Sequence, residues 1–319
     1  MNQHFITEIE IKNFKCFDNF KTEGFKRVNL IGGKNNVGKT AFMEAVYVNT
    51  KAIDLKSFVA ALDDIKFMRE NLNILGGYEN DVKKNIEQFN NIFTKSNINL
   101  ASYTIEDING VKKYIFNFNG ENIEVNVNQF SYERSIAKSI VFIDNFGLSN
   151  NQIIGLYASV QKKNEEYFLD EILKEFDSRI ESFKIIDNKP QCEINGKYYE
   201  ITEFGDGVRH LVSIITTLFF CEDGYLFIDE VDNGFHYTKL DELWKIILEV
   251  SDKLNVQVFA TTHSKECIES FNRVQKKLND SDTSYFEMIK NIKNKNIYMR
   301  VLDAKQLEYE LTHGGEYRG

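Results

Sequence analysis

The stretch GKNNVGKT, residues 33–40, constrains this chain more than any other. It matches the phosphate-binding loop pattern G-x-x-x-x-G-K-[ST] at all four fixed positions, Gly33, Gly38, Lys39 and Thr40. Two glycines allow a turn tight enough for successive backbone N–H groups to point at one anion. Lys39 can then reach the β- and γ-phosphates of a nucleotide, and the Thr40 hydroxyl can coordinate Mg²⁺.

The residues on either side of this phosphate loop support a nucleotide site. VNLIGG (28–33) is an apolar run that predicts a buried strand, and TAFMEAVY (40–47) predicts a helix. A plain glycine turn, which is the alternative, does not require this strand–loop–helix order. The N-terminus of the helix adds positive potential where phosphates would lie. We therefore expect the nucleotide to be bound by the whole loop: Gly33, Lys34, Asn35, Asn36, Val37, Gly38, Lys39 and Thr40.

Composition and charge limit the remaining classes of protein. The 319 residues allow one large domain or two moderate ones, and they carry a net charge of −9. This charge argues against a surface coated in basic residues for nucleic acid, although a local basic patch stays compatible with it. Four widely spaced cysteines without a C-x-x-C pair favour buried free thiols in a reducing compartment over a metal site. Because no apolar run approaches about 18 residues and no signal-peptide pattern is present, we expect a cytoplasmic protein without a membrane partner.

The first hundred residues suggest strands followed by helices. ITEIEIKNF (6–14) alternates like a strand, and a polar connection (15–27) leads to the strand before the loop. Residues 41–98 predict mainly helix, facing the core or another subunit. Apolar positions at helical spacing carry this prediction: Phe58, Leu62, Ile65 and Met68.

The middle of the chain predicts antiparallel strands. Three strand-like segments in 101–128 are separated by Asn109-Gly110 and Asn119-Gly120. Because Asn-Gly supplies the positive φ angles of two-residue turns, we predict a meander. A strand, a helical stretch and a hairpin are predicted to follow, at 139–144, 150–183 and 191–201.

A second glycine-containing turn precedes a helix in FGDGVRHLVSIITTLFF (204–220). Apolar residues at helical spacing follow Gly205, Asp206 and Gly207, so these three residues form another candidate anion site at a helix N-terminus. A simple helix start capped by Asp206 explains the same residues equally well.

Two later strands end in chemically active side chains. YLFIDE (225–230) predicts a buried strand followed by Asp229 and Glu230. Two carboxylates there suit a Mg²⁺ ligand and a base that orients the attacking water, while a surface charge pair is the alternative. VQVFATTHS (256–264) places His263 after another buried strand, where it can contact a γ-phosphate. A lone histidine is more often structural, but the order loop, glycine turn, acid pair, histidine favours function.

These motifs in this order resemble the ABC-type ATPase heads of the RecF/SMC/OLD group, OLD denoting the overcoming-lysogenization-defect proteins. The resemblance is strongest to the small stand-alone bacterial proteins described as AAA family ATPases. The opening IEIKNFKCFDNF is similar to the group's first strand, and IYMRVLDAKQLEYELTHGGEYRG is similar to the last strand and helix of the stand-alone proteins. The resemblance covers 1–50 and 200–319 well, and the middle of the chain loosely.

The resemblance implies a fold and a division of the chain. We expect an α/β P-loop NTPase with an ABC-ATPase-type head, in which helices flank a mixed central sheet. An antiparallel β meander and a helical lobe complete the expected architecture. A single head would span 1–319, with a nucleotide-binding core of 1–50 and 200–319 and an inserted lobe at 51–199.

The resemblance also implies roles for individual residues. The phosphate loop would bind ATP, and Thr40 and Asp229 would hold Mg²⁺. Glu230 would be the general base of hydrolysis, and His263 would sense the γ-phosphate. Lys15 matches a basic position near the phosphates in related heads.

Other matching positions imply an interface between two heads. Gly205, Asp206 and Gly207 match the signature loop, which contacts the nucleotide bound by the opposite subunit. This loop lacks the serine of L-S-G-G. Asn233-Gly234 matches the D-loop at the dimer interface, and Gln152, which follows the strand predicted at 139–144, is a candidate for the Q-loop glutamine.

From this resemblance we expect an ATP-dependent homodimer, or a higher even oligomer, that acts in phage defence or DNA transactions. The 56 residues after His263 are too few for the Toprim nuclease of OLD proteins. A nuclease or toxin is therefore expected as a separate effector, with DNA as a further candidate partner. A RecF-like DNA repair clamp is the alternative. A transporter's nucleotide-binding subunit fits less well, because the 166 residues from Lys39 to Gly205 exceed the usual spacing and L-S-G-G-Q is absent.

Overall fold

The computed structural model describes residues 5–51, 60–61, 64–65, 100–107, 110–119, 122–129, 139–145, 147–291 and 296–313. The chain divides into two compact units. Unit 1 comprises Met1–Lys26, Gly33–Ala137 and Phe286–Val301. Unit 2 comprises Arg27–Gly32, Lys138–Tyr285 and Leu302–Gly319. The predicted core of 1–50 and 200–319 with an inserted lobe stays a prediction.

The secondary structure within the described residues alternates between strands and helices. The strands are β1 Ile6–Phe14, β2 Phe17–Glu23, β3 Val28–Gly32, β4 Leu100–Asp107, β5 Gly110–Asn119, β6 Asn122–Gln129, β7 Ile140–Ile143, β8 Ser182–Ile186, β9 Lys189–Ile194, β10 Lys197–Glu200, β11 Tyr225–Ile228, β12 Gln257–Thr261, β13 Thr283–Lys290 and β14 Ile297–Leu302. The helices are α1 Lys39–Lys51, α2 Asn150–Lys162, α3 Glu166–Phe176, α4 Asp206–Phe220, α5 Leu240–Lys253, α6 Lys265–Leu278 and α7 Ala304–His313. Short 3₁₀ helices span Ile201–Phe204 and Tyr237–Lys239.

Unit 1 contains an antiparallel sheet with the strand order β2-β1-β4-β5-β6. The predicted meander of β4, β5 and β6 is confirmed. β1 extends it, since Ile11 lies opposite Phe20 of β2 on one side and opposite Tyr103 of β4 on the other. β2 occupies most of the segment predicted to be a polar connection. Its buried residues Phe17, Phe20 and Thr22 are unevenly spaced. The strand was not predicted because the segment lacks the strict alternation of apolar and polar residues.

The strands of the meander include two residues that were predicted to lie in its turns. Asp107 pairs with Gly110, and Asn119 pairs with Asn122. Gly110 and Asn119 therefore belong to β5, while the residues that connect the strands lie outside the described residues. Cross-strand pairing fixes the register, and turn-favouring residues specify a loop only approximately.

Helix α1 and a cluster of aromatic rings form much of the core of unit 1. Every residue from Ala41 to Thr50 is buried, so α1 is covered on all sides. The ring centroid of Phe42 lies 5.9 Å from those of Phe20 and Phe25. The helix predicted after the loop is thus confirmed, and Ile65 is helical and buried as predicted. Three other residues of the predicted helical region lie outside the described residues, Phe58, Leu62 and Met68.

Unit 2 contains a parallel sheet with the order β3-β12-β11-β7. All residues of β3, β11 and β12 are buried, which is typical of parallel strands covered on both faces. Phe227 of β11 stacks on Phe259 of β12 and Phe142 of β7, with ring centroids 5.3 and 6.1 Å apart. The four strands predicted here from apolar runs are confirmed.

Helices α2 to α7 belong to unit 2, and α4 is buried along nearly its whole length. The predicted helical stretch 150–183 is wrong in extent. Asn164 adopts a positive φ of 55° just after α2, which ends that helix, and α3 stops at Phe176 before a strand begins. Among the described helices, none is long and apolar enough to cross a lipid bilayer.

A three-stranded antiparallel sheet, β8-β9-β10, lies beside these helices in unit 2. The predicted hairpin at 191–201 is confirmed, and Asn195 and Gly196 have φ of +52° and +71° at its turn. β8 was not predicted. It joins β9 through Asp187 and Asn188, which both adopt positive φ and form the same kind of tight turn.

Arg27 lies buried at the entrance to β3, with 2% of its surface exposed. Its guanidinium donates to the Leu248 carbonyl at 2.8 Å and to the Ser251 hydroxyl, near the end of α5. It also forms an ion pair with Asp280, beyond the end of α6. This one side chain therefore fixes β3 against two helices of unit 2.

Replacing Arg27 by methionine is expected to lower the free energy of unfolding by about 3 kcal/mol, because Asp280 would lose its buried partner. Lys26→Met, at an exposed neighbouring position, should change it by less than about 0.5 kcal/mol. Chemical denaturation followed by circular dichroism measures both. Equal stability of the two variants would show that the Arg27 cluster does not stabilise the fold.

All four cysteines are free thiols. Cys192, Cys221 and Cys267 are buried as predicted, and burial raises the pKa of each thiol, that of Cys192 to about 12. Cys16 differs from the prediction, because it is only partly buried in the turn between β1 and β2.

Candidate active site

The phosphate loop in unit 1 adopts a backbone that its glycines make accessible. Gly33, Asn36 and Gly38 have φ of +147°, +58° and +115°. A Cβ at Gly33 would lie 2.6 Å from the Met288 carbonyl oxygen, so both conformation and space exclude a larger residue there. Residues of alternating handedness make concave rows of N–H groups that bind anions.

Lys39 begins helix α1, and its ammonium is held by the loop itself. The side chain is buried, and Nζ donates to the Gly33 carbonyl at 2.7 Å and to the Lys34 carbonyl at 3.1 Å. The cation is therefore already positioned over the loop that precedes it. A helix N-terminus and a buried ammonium at one loop form a site for an anion.

Lys15 lies in the turn between β1 and β2, which packs on the phosphate loop. A Cβ at Gly38 would lie 2.8 Å from the Cys16 sulfur, so this turn touches the loop within unit 1. The Lys15 ammonium forms an ion pair with Glu44 of α1 and lies 5.5 Å from the Phe14 ring centroid. The turn is thus close to the loop, while contact between Lys15 and phosphates stays a prediction.

The acidic pair, Asp229 and Glu230, follows β11 in unit 2 and is held by one threonine. The Thr261 hydroxyl donates to the Asp229 carboxylate and accepts from the Glu230 N–H at 2.9 Å. Asp229 also donates its N–H to the Ile143 carbonyl at 2.9 Å and is only 9% exposed. The two acids therefore differ: Asp229 is buried and bonded, and Glu230 is partly open.

Glu230 and His263 approach each other at the ends of neighbouring strands. Glu230 Oε1 lies 3.4 Å from His263 Nδ1, without the geometry of a hydrogen bond. Their side chains are 35% and 43% exposed, so water can reach both. Glu230 adopts a φ of +52°, a left-handed conformation that costs about 1 kcal/mol for a residue with a Cβ. Such strain is common where a backbone aims a functional group.

The predicted signature loop (205–207) packs on the predicted D-loop (233–234) within unit 2. A Cβ at Gly207 would lie 2.7 Å from the Gly234 carbonyl oxygen, so glycine is needed for this close approach. Gly205 has a φ of +83° and precedes α4 without a side-chain cap. Asp206 is the first residue of the helix, which excludes the alternative that it is the helix cap. Gly205, Asp206 and Gly234 are exposed.

Gln152, the candidate for the Q-loop glutamine, has a structural role at the start of a helix. Gln152 forms a capping box with Ser149 at the start of α2, accepting from the Ser149 N–H at 2.9 Å.

Sequence analysis missed several residues that organise the site in unit 2. Thr261 and Thr262 directly precede His263 in the sequence. Their roles become visible only in the structure, where their hydroxyls bond carboxylates that lie 30 or more residues away along the chain. His210 of α4 is buried against the Phe235 ring, with centroids 5.6 Å apart. Burial lowers the pKa of His210 to about 4, so the ring is neutral near pH 7 and acts in packing.

Comparison with known proteins places the chain in a family. The model of the AAA ATPase domain family matches residues 52–268, which is 217 of the 319 residues. The chain belongs to the AAA ATPase domain family. The matched region of this AAA ATPase includes the predicted signature loop (205–207), the acidic pair and His263.

Two curated proteins resemble this AAA ATPase. A Helicobacter pylori protein described as an ATP/GTP phosphatase is 23% identical over 339 aligned residues, covering 84% of this chain and 88% of that protein. The DNA replication and repair protein RecF of Bacillus mycoides is 46% identical over 44 residues, which are 14% of this chain and 12% of RecF.

Solved SMC head domains share the fold of this AAA ATPase. The SMC head domain of Thermotoga maritima has 14% identity and a TM-score of 0.51, over 93% of this chain and 99% of that structure. An SMC head bound to the C-terminal winged-helix domain of ScpA has 13% identity and a TM-score of 0.58, over 94% and 99%. A Pyrococcus furiosus SMC head bound to the C-terminal domain of ScpA has 10% identity and a TM-score of 0.55, over 97% and 98%.

The predicted fold and enzymatic activity are therefore confirmed. This AAA ATPase has the α/β fold of an SMC/RecF-type ABC ATPase head, and it is an enzyme that binds and hydrolyses ATP. The roles of individual site residues stay predictions.

Proposed function

We propose that this ATPase works as an ATP-dependent homodimer, in which ATP bound to one head is also contacted by the signature loop of the other. Hydrolysis would release the contact and separate the heads. The pairing of heads would then act as a switch that reports the state of the nucleotide.

The contact between Gly207 and Gly234 carries this proposal. It joins the signature loop to the D-loop, and Gly205, Asp206 and Gly234 leave this joined surface exposed. One end of the surface continues into Glu230, because the Asn233 N–H donates to the Glu230 carbonyl at 2.9 Å. A second copy that docks here would therefore act on elements connected to the proposed base.

Within one head, we assign the phosphate loop to the ATP phosphates, with Lys39 neutralising their charge. Thr40 and Asp229 would hold Mg²⁺, which withdraws charge from the phosphates when bound. Hydroxyl and carboxylate oxygens suit Mg²⁺, which usually binds few protein ligands and completes its shell with water and phosphate. Among the described residues, no cluster of three or more His, Cys, Asp or Glu side chains could hold a metal ion.

Glu230 is the proposed general base. Its partly exposed carboxylate can accept a proton from the attacking water. His263, whose Nδ1 lies 3.4 Å from the Glu230 carboxylate, can contact the γ-phosphate. The buried Thr261 hydroxyl donates to the Asp229 carboxylate but accepts only from the backbone N–H of Glu230. The Glu230 carboxylate is therefore left available as a base, while that of Asp229 is held in place.

Dimerisation is testable by size measurement. Glu230→Gln with ATP should form a dimer by size-exclusion chromatography with light scattering, and without ATP it should be a monomer. Adding Asp206→Lys should weaken the dimer by about 10-fold or more, because an exposed lysine would enter the interface.

The matched control is Glu222→Lys, an equal charge change just beyond the opposite end of α4. It should leave the dimer intact, apart from loss of an exposed ion pair with Lys163. A Glu230→Gln protein that stays monomeric with ATP would contradict the proposed dimer.

The proposed output is a signal to a separate effector, such as a nuclease or toxin, in phage defence or DNA transactions. The complexes of SMC heads with ScpA support a partner protein, and the RecF match supports DNA. If the RecF-like alternative holds, DNA should stimulate ATP hydrolysis with a steep dependence on salt. ATPase assays with and without duplex DNA at two salt concentrations separate these outputs.

A further inference from the structure

The buried Thr262 hydroxyl joins two segments of the proposed site. It donates to the Asp232 carboxylate at 2.6 Å and accepts from the Ser264 N–H at 3.0 Å. Asp232 lies two residues after Glu230, and Ser264 lies one residue after His263. The hydroxyl therefore ties the segment carrying the proposed base to the segment carrying the proposed γ-phosphate sensor.

The neighbouring threonine makes a second tie. Thr261 bonds the Asp229 carboxylate and the Glu230 N–H, while Thr262 bonds Asp232. The bonds of Thr261 and Thr262 thus hold the chain just before and just after the point where Glu230 comes within 3.4 Å of His263.

His263 is also restrained from its other side. The Ser264 hydroxyl caps α6 by accepting from the Cys267 N–H at 3.1 Å, and the Thr262 N–H donates to the Ile31 carbonyl at 3.1 Å. The backbone on both sides of His263 is thus fixed. Of these restraints, the bond to Asp232 is the side-chain link from Thr262 to the turn that follows Glu230.

We propose that Asp232 is a positioning residue for ATP hydrolysis, which acts through Thr262 to hold His263 in place beside Glu230. This inference rests on the proposed function, because it takes His263 and Glu230 as the groups that act on ATP. In this role Asp232 would touch neither the nucleotide nor the attacking water. Its effect is on geometry, and small displacements of catalytic groups slow reactions strongly.

The inference predicts a loss of turnover rather than of ATP binding. Asp232→Ala and Thr262→Val should each lower kcat by about 10-fold and change KM for ATP by less than about 2-fold. Asp232→Asn should keep more than half of kcat, because the amide oxygen can still accept from Thr262. Steady-state phosphate release by the full chain measures these values, and thermal melting checks that each variant is folded.

A double-mutant cycle tests whether Asp232 acts through His263. In a His263→Ala background, Asp232→Ala should lower kcat by less than about 2-fold further, since the group it positions is gone. The matched control is Asp241→Ala, which removes another 2.6 Å hydroxyl–carboxylate bond, from Ser270 of α6. It should lower the melting temperature without changing kcat.

Two results would overturn the inference alone. One is a slow His263→Ala enzyme together with an Asp232→Ala enzyme of wild-type kcat. The other is an equal loss from Asp232→Ala in both backgrounds. A His263→Ala enzyme with wild-type kcat would instead remove His263 from the proposed mechanism, and the inference with it.

Discussion

Replacing Glu230 by glutamine is expected to lower the rate of ATP hydrolysis by about 100-fold or more while ATP binding is retained. Glutamine has nearly the same size, and the backbone bond from residue 230 to the Thr261 hydroxyl does not depend on the side chain. The amide cannot accept a proton from water. Phosphate release measures turnover, and titration with a fluorescent ATP analogue measures binding.

Glu269→Gln provides the control for this change. Glu269 lies on α6 in the same unit, with its side chain 41% exposed and an ion pair to Lys265. Because it has no proposed role, turnover should stay within about 2-fold of wild type. A Glu230→Gln enzyme that kept a tenth or more of the wild-type rate would show that another group is the base.

Replacing Lys39 by alanine is expected to weaken ATP binding by about 100-fold, or about 2.8 kcal/mol. The ammonium is buried and already oriented by the Gly33 and Lys34 carbonyls, so little ordering remains when phosphates bind. Without it, the loop keeps its N–H groups but loses its positive charge. Isothermal titration with ATP measures the change, and turnover should fall with binding.

Lys34→Ala tests whether position matters more than charge. Lys34 is in the same loop, but its side chain is exposed. Removing the same charge there should weaken binding by less than about 3-fold, because water and salt screen exposed charges. Equal losses of ATP affinity in the two variants would mean that the loop attracts ATP by its net charge. The buried position of Lys39 would then contribute nothing further to binding.

These two predictions separate binding from chemistry in different units of the chain. Lys39→Ala should reduce both ATP binding and dimerisation, while Glu230→Gln should reduce only turnover and so accumulate the proposed dimer. The Asp232 variants should behave like a weaker Glu230→Gln. Such a pattern would show that Asp232 affects the hydrolysis step and not ATP binding.

The fold could be predicted well wherever a local pattern is strong. Mainly apolar runs identified β3, β11 and β12, since strands covered on both faces carry mostly apolar residues. β2 was missed because its buried residues are unevenly spaced, and β8 because it begins within the last two residues of a stretch predicted as helix. In each case, pairing with the neighbouring strand of a hairpin decided what the spacing within the segment left open.

The sequence by itself determined the chemistry of this protein. The phosphate loop, the acidic pair and His263 each lie within one short segment, where spacing along the chain is enough to specify a turn or a strand end. Their order along the chain was enough to indicate an ATPase head, and the family match confirms it.

Only the tertiary structure decided how those groups are held. Thr261 reaches Asp229 across 32 residues, and Thr262 reaches Asp232 across 30. Arg27 meets Asp280 across 253 residues. These bonds depend on strand register and helix packing, which are set by burial of the whole core, so no local pattern in the sequence encodes them.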